Sequence, residues 1–115
     1  REAVVRESRR TATTDLASMV TVKSNDYIVG SFGGIRNLQL TVSNASVYTL
    51  DRVTVELQYL KPQDEFLKEE NIIFKEIAPG GSQTLAIPKS SRGVKVRFRV
   101  VRIESDEVSG NTAVN

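Results

Sequence analysis

The sequence predicts an all-β domain, built as a seven-stranded antiparallel sandwich. Apolar and polar residues alternate with a period of two along most of the chain, as in residues 53–59 (Val-Thr-Val-Glu-Leu-Gln-Tyr). Such alternation is typical of strands that bury one face. Val, Ile, Thr and Tyr dominate these stretches, and they favour a pleated surface. Turn-forming residues separate the stretches at short intervals, which is typical of a sandwich or barrel.

Each predicted strand is an alternating or apolar stretch that ends at a turn signal. The predicted strands are Leu16–Val22, Tyr27–Phe32, Leu38–Val42, Val53–Tyr59, Ile72–Ile77, Leu85–Ile87 and Val94–Val100. The turn signals between them are Ser24-Asn25-Asp26, Gly33-Gly34, Ser43-Asn44-Ala45-Ser46, Lys61-Pro62-Gln63-Asp64, Ala78-Pro79-Gly80-Gly81 and Pro88. The short stretch Glu65–Glu70 is the one helix-like piece in the middle of the chain.

The last predicted strand contains an irregularity. Val100 and Val101 are adjacent apolar residues, and Ile103 follows in the opposite phase to Phe98. We therefore expect a β-bulge near Val100-Val101, which would return both Val101 and Ile103 to the core. The alternative is that this end of the strand is covered on both faces.

The ends of the chain differ from its centre. Residues 1–14 are polar and mixed in charge, so we expect a linker or disordered lead-in, with a short helix as the alternative. Residues 15–105 form the predicted sandwich domain, and residues 106–115 lack an apolar face and are expected to be a disordered tail. Because the chain begins at Arg1 and has no apolar leader, we expect a piece of a longer protein.

Composition excludes several kinds of chemistry. The 115 residues include no Cys and no His, so thiolate chemistry and the commonest general base and metal ligand are absent. The formal net charge of +2 is too small to indicate nucleic acid as a partner. No apolar run approaches the ~18 residues of a membrane-spanning helix. The acidic pairs have no calcium-loop spacing, and Gly30, Gly33 and Gly34 precede a strand rather than a phosphate-binding helix. We expect no enzyme activity, metal or cofactor.

The last strand carries a basic stripe. Lys95, Arg97 and Arg99 share one face, and Arg92 precedes them. One interpretation is an anion-binding face for nucleic acid, acidic glycan or phospholipid headgroups. The other is a solvated sheet face whose cations pair with Glu56 and other acids on neighbouring strands.

Two aromatic residues lie at strand ends or turns. Phe32 is followed by Gly33-Gly34, and Tyr48 follows the turn at residues 43–46. If both were exposed together, they would form a patch for sugar stacking or partner docking. Otherwise they cap the ends of the sandwich. In the same turn, Asn44-Ala45-Ser46 fits the glycosylation triplet but is interpreted as a turn.

The stretch from Leu38 to Ile103 resembles small bacterial immunoglobulin-like modules of the FxLYD-related kind. The resemblance lies in residues 40–46 (Leu-Thr-Val-Ser-Asn-Ala-Ser), 53–59 and 77–82 (Ile-Ala-Pro-Gly-Gly-Ser). The Phe-x-Leu-Tyr-Asp signature itself is absent. Residues 27–40 also resemble the opening of a poorly characterised C-terminal domain of Bacteroidetes proteins. The resemblance implies an immunoglobulin-like accessory domain without enzyme activity, placed on the cell envelope in the periplasm or at the surface.

The sequence leads us to expect a non-enzymatic accessory domain that binds another protein or packs against its parent chain. An exposed sheet face or an unpaired edge strand would make the contact, and Thr84–Ile87 with Pro88 is typical of a protected edge. Two alternatives stay open. One is a carbohydrate-binding module using Phe32, Tyr48 or Tyr27 with the Arg97 face, and the other is anion or nucleic-acid binding by the basic face. The predicted interaction face comprises Arg92, Lys95, Arg97, Arg99, Phe32 and Tyr48.

Overall fold

The computed structural model of the chain describes residues 16–107 and the backbone of residues 111–113. The predicted lead-in at 1–14 lies outside these residues. The described elements are a helical turn at 16–19 and nine strands. The strands are β1 (Val20–Ser24), β2 (Ile28–Val29), β3 (Ile35–Arg36), β4 (Gln39–Asn44), β5 (Leu50–Leu60), β6 (Phe66–Ile77), β7 (Ser82–Ala86), β8 (Lys95–Glu104) and β9 (Asn111–Ala113).

The strands form two main antiparallel sheets and one small hairpin, so the predicted all-β class is confirmed. One sheet has the order β1-β4-β7, and the other has the order β6-β5-β8-β9. Strands β2 and β3 pair with each other as a short hairpin that lies between β1 and β4 in the chain, and Ile35 of β3 also forms an isolated bridge with Ser90. Strand β7 lies at the edge of its sheet, as the sequence predicted for the stretch ending at Pro88.

The hydrophobic core lies between the two main sheets. Leu40 and Val42 of β4 belong to the same buried cluster as Val55 and Leu57 of β5, and all four are fully buried. Alternating residues of β4 and β5 point inwards, which is the pattern that the sequence predicted. Tyr59 is also in this core, and the core is contiguous from one sheet to the other.

The predicted strand at Leu16–Val22 is wrong in its first part. Residues 16–19 form a helical turn, and the strand begins only at Val20. Leu16 and Val20 are both buried, whereas Met19 is exposed. Positions four residues apart lie on the same side of a helical turn. The turn therefore buries Leu16 and Val20 to the same extent as an alternating strand would.

Strand β6 is longer than the sequence predicted. It begins at Phe66, so the helix-like stretch Glu65–Glu70 is mostly strand. Residues of β5 from Leu57 to Leu60 pair with it through a continuous ladder apart from a shift at Tyr59/Leu60. Pairing with a neighbouring strand therefore outweighs the local helical preference. The predicted strand at Tyr27–Phe32 is likewise replaced by the hairpin of β2 and β3.

The predicted β-bulge in the last strand is confirmed, and it returns Ile103 but not Val101 to the core. Val55 pairs with Val100 and Thr54 pairs with Arg102, so Val101 is the extra residue in β8. Beyond the bulge, the inward-facing phase changes, and Ile103 is fully buried in the core. Val101 stays partly exposed. A two-against-one insertion of this kind re-aims every later side chain of its strand.

The segment predicted as a disordered tail contains strand β9, which differs from the expectation. Asn111–Ala113 pairs with residues 102–104 of β8. The outer edge of β8 offers unpaired backbone groups, and three paired residues satisfy some of them. An apolar face is not needed for such pairing, which is why composition did not reveal it.

Candidate functional site

Three connecting segments meet at one end of the domain and present Phe32. The tip of the β2–β3 hairpin lies beside residues 90–94, which precede β8, and beside the β5–β6 turn that begins at Lys61. The Gly34 N–H donates to Gly93 O at 2.8 Å, and Val94 N–H donates to Leu60 O at 2.9 Å. Ile35 and Ser90 exchange two backbone hydrogen bonds of 2.8 and 2.9 Å. Backbone bonds therefore fix the hairpin tip against the rest of the domain.

Phe32 itself is fully exposed, with 104% of its reference surface accessible. The Gly33 N–H donates to Gly30 O at 3.0 Å, and the Gly30 N–H donates to Gly34 O at 3.0 Å. These two bonds close a tight turn. Phe32 lies at its third position, from which its ring projects away from the protein. Large apolar side chains at such rigid, exposed positions are common anchors of protein interfaces.

A groove of about 410 Å³ lies next to the Phe32 ring. Its apolar lining includes Pro62, Leu67 and Val94, and two exposed cations, Lys61 and Arg92, also line it. No ion pair within residues 16–107 involves either Lys61 or Arg92. The lining residues are Phe32, Gly33, Lys61, Pro62, Leu67, Ser91, Arg92, Gly93 and Val94.

The cations of the basic stripe are matched by acceptors on the same sheet. Arg99 Nε lies 3.2 Å from Glu56 Oε1, and the two residues are direct neighbours across β5 and β8. Arg97 donates two hydrogen bonds, of 3.0 and 2.7 Å, to Gln58 Oε1. The structure therefore shows the cross-strand pairing that was one of the two interpretations of this stripe.

Lys95 is paired outside the strands. Its ammonium donates a 2.8 Å hydrogen bond to Asp64 in the β5–β6 turn. This hydrogen bond and the positive charge of Lys95 lower the pKa of Asp64. Both side chains are largely exposed, so the contact orients the turn more than it stabilises the fold. Arg92 lies at the groove, beside Phe32.

Phe32 and Tyr48 are not brought together. Tyr48 comes two residues before the start of β5, whereas the groove begins at Lys61, directly after the end of β5. An 11-residue strand separates them by about 33 Å. Tyr48 packs against the core, which is the capping position that we predicted from the sequence, whereas Phe32 does not contact the core. A joint aromatic platform of Phe32 and Tyr48 is therefore not formed.

Tyr27 is partly buried against the core. Its hydroxyl accepts a 3.4 Å hydrogen bond from the Val96 N–H.

The sequence did not reveal Lys61, Pro62, Leu67 or Gly93 as parts of a site. Pro62 was recognised as the residue that ends a strand, and the Gly pair after Phe32 as a turn. The groove forms because the segments at 61–67 and 91–94 lie side by side, held by the Val94–Leu60 bond. No spacing within a single sequence indicates such a contact between distant segments.

Next to this end of the domain, Tyr59 combines burial with a polar contact. Its side chain is 1% exposed. Its hydroxyl donates a 2.9 Å hydrogen bond to Glu70, and the Lys68 ammonium lies 4.6 Å from the ring centre. Burial, then the hydrogen bond and negative charge of Glu70, raise the pKa of Tyr59.

We expect alkaline pH to destabilise the domain through Tyr59. Its raised pKa means that the folded state holds the phenol proton more tightly than the unfolded state does. The protonated Tyr59 therefore adds to the free energy of unfolding, and this stabilisation is complete below about pH 10. It is lost as the pH rises further, and the free energy of unfolding then falls by up to about 1.4 kcal/mol per pH unit. When the free energy of unfolding is measured with urea between about pH 9 and 12, it should fall less steeply with pH for Tyr59→Phe than for the wild type. Glu70→Gln should give an intermediate slope, and equal slopes for all three proteins would contradict the assignment.

Among the described residues, no helix is long and apolar enough to cross a bilayer. Within residues 16–107, no three acidic side chains are grouped so as to hold a metal ion.

The comparisons with known proteins give a fold and no family. No protein-family model matches the chain, and no curated protein matches it. The chain is similar to a solved structure of IrmA from Escherichia coli, with a TM-score of 0.55 and 12% sequence identity over 84% of each chain. At this level of identity the similarity concerns the fold alone. The chain is thus an all-β protein of antiparallel sheets that shares its overall fold with that structure.

Proposed function

We propose that this chain is a non-enzymatic interaction domain that docks onto a protein surface through Phe32. The supporting observation is that Phe32 is fully exposed on a turn whose backbone is tied to the neighbouring loop. Exposure of a rigid aromatic ring has no stabilising role in the isolated domain, since burial is what gives aromatic side chains their favourable energy. The free energy of removing the Phe32 ring from water is gained only when a partner covers the ring.

The chemistry of the groove defines the partner surface. Pro62, Leu67 and Val94 provide apolar lining beside the ring, and Lys61 and Arg92 add positive charge to the same groove. The complementary surface is an apolar pocket that receives the Phe32 ring, with carboxylates that face the two cations. We propose that such a pocket lies on a partner protein.

We further propose that the sandwich is of the immunoglobulin-like class. The two main sheets hold three and four strands, in the orders β1-β4-β7 and β6-β5-β8-β9. Seven strands divided in this way, with consecutive strands β4 and β5 crossing between the sheets, support that class. The relation to FxLYD-related modules and the placement on the cell envelope stay predictions from the resemblance.

We expect Phe32→Ala to abolish docking while leaving the domain folded. Photo-crosslinking from an aromatic unnatural amino acid at position 32, in the full-length protein in its own cell, should give one discrete adduct. The same group at position 91, which also lines the groove, should lose its adduct in Phe32→Ala. Mass spectrometry should place the adduct from position 32 at an apolar pocket flanked by acidic residues. Arg92→Glu should reduce its yield, and the unfolding free energy of Phe32→Ala should stay within about 0.5 kcal/mol of the wild type.

The matched control is Val47, a second exposed apolar residue that lies beyond the opposite end of β5. A crosslinker at position 47 should give no discrete adduct, and Val47→Ala should leave docking unchanged. Equal and diffuse crosslinking from positions 32 and 47 would refute the proposal. So would an adduct at position 32 that is insensitive to Arg92→Glu and lies on a basic or glycan surface.

A further inference from the structure

Strand β6 is an edge strand. In the described part of the chain no other strand pairs with its outer side, where the Gln83 side chain of β7 bonds the Lys75 N–H. On its inner side β6 pairs with β5, with an unshifted ladder from Lys68 to Lys75. It has 12 residues and no proline. Edge strands present unpaired N–H and C=O groups, which are templates for pairing with a further strand.

The direction of one hydrogen bond shows which residues of β6 present these groups. The Lys75 N–H donates to the side-chain oxygen of Gln83 at 3.0 Å, so it points away from β5. Backbone direction alternates along an antiparallel ladder. The backbone groups of Ile73, Asn71 and Glu69 therefore point outwards as well. Ile73 is also an exposed apolar residue on this edge, at 38% of its reference surface.

The charges of β6 are self-complementary. Glu69 lies three residues before Ile72, and Lys75 lies three residues after it. When two copies of β6 run antiparallel with Ile72 opposite Ile72 of the second copy, each Glu69 faces Lys75 of the other. Two-fold symmetry makes this favourable pair occur twice. The same register places Asn71 opposite Ile73 of the second copy, so the outward backbone groups meet each other.

Neighbouring registers lack this match. A shift of two residues in one direction places Lys75 opposite Leu67 of the second copy. A shift of two residues in the other direction places Lys75 opposite Asn71, and it also places Glu70 opposite Glu76. Charged side chains on an edge strand often prevent it from pairing with another strand. In β6, opposite charges face each other in one register, so in that register the charges favour pairing with a second copy. We propose that two copies of this chain associate through β6 in that register, which joins their four-stranded sheets into one continuous sheet.

Charge exchange tests the proposal. Sedimentation equilibrium of the chain between about 1 µM and 1 mM should show a reversible dimer. Lys75→Glu and Glu69→Lys should each weaken it by at least about tenfold, since each sets like charges opposite one another. A chain carrying both changes should dimerise like the wild type, and the two single variants should associate when mixed. Lys23→Glu, on β1 of the other sheet, is the control and should have no effect.

A second measurement fixes the register. The chain has no Cys, so a disulfide in a single-Cys variant joins two copies. Ile72→Cys should crosslink readily because it lies opposite itself, whereas Leu67→Cys should not. Equal crosslinking would overturn the register. A wild type that stays monomeric to about 1 mM would overturn the dimer, as would a double variant that behaves like the single ones. Phe32→Ala should dimerise normally, so a failure of the docking proposal can be distinguished from a failure of this one.

Discussion

Replacing Asn44 by alanine should destabilise the domain by about 2–4 kcal/mol, one of the two largest effects that we expect from a single side chain outside the apolar core. The Asn44 side chain is 1% exposed. Its amide nitrogen lies 2.7 Å from Tyr48 O and 3.1 Å from both Ile77 O and Ala78 O. Its amide oxygen accepts from the Ser46 N–H at 3.0 Å. One buried amide thus joins the β4–β5 connection to the β6–β7 turn.

The cost arises from the groups that alanine would leave behind. The bond to Ile77 O is buried, and those to Tyr48 O and Ala78 O are part-buried. Loss of the donor costs about 1–3 kcal/mol at the buried carbonyl and less at the other two, where water can enter. Thermal unfolding of Asn44→Ala should therefore begin about 10–15 °C below that of the wild type. The same contacts make Asn44 inaccessible, so this triplet functions as a turn, as the sequence predicted.

The control is Asn25, which makes two similar bonds at the surface. Its amide nitrogen donates to Asn37 O at 2.7 Å, and its amide oxygen accepts from the Gln39 N–H at 2.8 Å, both exposed. Water can replace these bonds, so Asn25→Ala should cost less than about 1 kcal/mol. If the two alanine variants unfolded at the same temperature, the buried amide would not be the cause.

An isosteric change adds a pH test. Asn44→Asp places a carboxylate oxygen against three carbonyl oxygens, so at neutral pH it should be at least as destabilising as alanine. Burial and the three carbonyl oxygens would raise the pKa of this carboxyl above its ordinary value of about 4, so on acidification it gains a proton before pH 4 is reached and can donate one bond again. The difference in unfolding free energy between Asn44→Asp and Asn44→Ala should therefore shift in favour of Asp on acidification. A pH-independent difference would argue against the donor role of the amide.

The sequence predicted those parts of the fold that depend only on which residues of a single strand face the core and which face solvent. Alternation identified β4, β5 and β8, because one face of each lies against the core. The bulge at Val101 was also predicted, since a change in phase between Phe98 and Ile103 is visible in the sequence itself. These features need no knowledge of which strands become neighbours.

The parts that the sequence missed depend on contacts between distant segments. Residues 66–70 adopt strand because β5 pairs with this part of the chain. The groove exists because the loop before β8 lies beside the turn after β5. Phe32 and Tyr48 looked alike in the sequence, as aromatics near turns. Only the path of the chain decides that Tyr48 packs on the core and Phe32 does not.

Gly34→Ala should destabilise the domain by about 2–4 kcal/mol and loosen the hairpin that presents Phe32. Gly34 is buried and has φ = 92°, which side chains rarely tolerate. A Cβ atom there would lie 2.9 Å from Ser90 O and 3.3 Å from Ser91 O, both backbone atoms. The Gly34 N–H also donates to Gly93 O. The hairpin and the loop must therefore separate to admit the methyl group.

Gly33 provides a control that separates the close approach from the backbone conformation. Its φ of 93° is nearly the same, but an added Cβ would find Gly93 O at 3.9 Å and no other atom closer. Gly33→Ala should therefore cost only the conformational part, about 1–2 kcal/mol. Amide exchange at Ile35 and Ser90, which are bonded to each other across this contact, should accelerate in Gly34→Ala well beyond Gly33→Ala. Equal exchange in the two variants would mean that the hairpin is held elsewhere, and the rigid presentation of Phe32 would lose its structural basis.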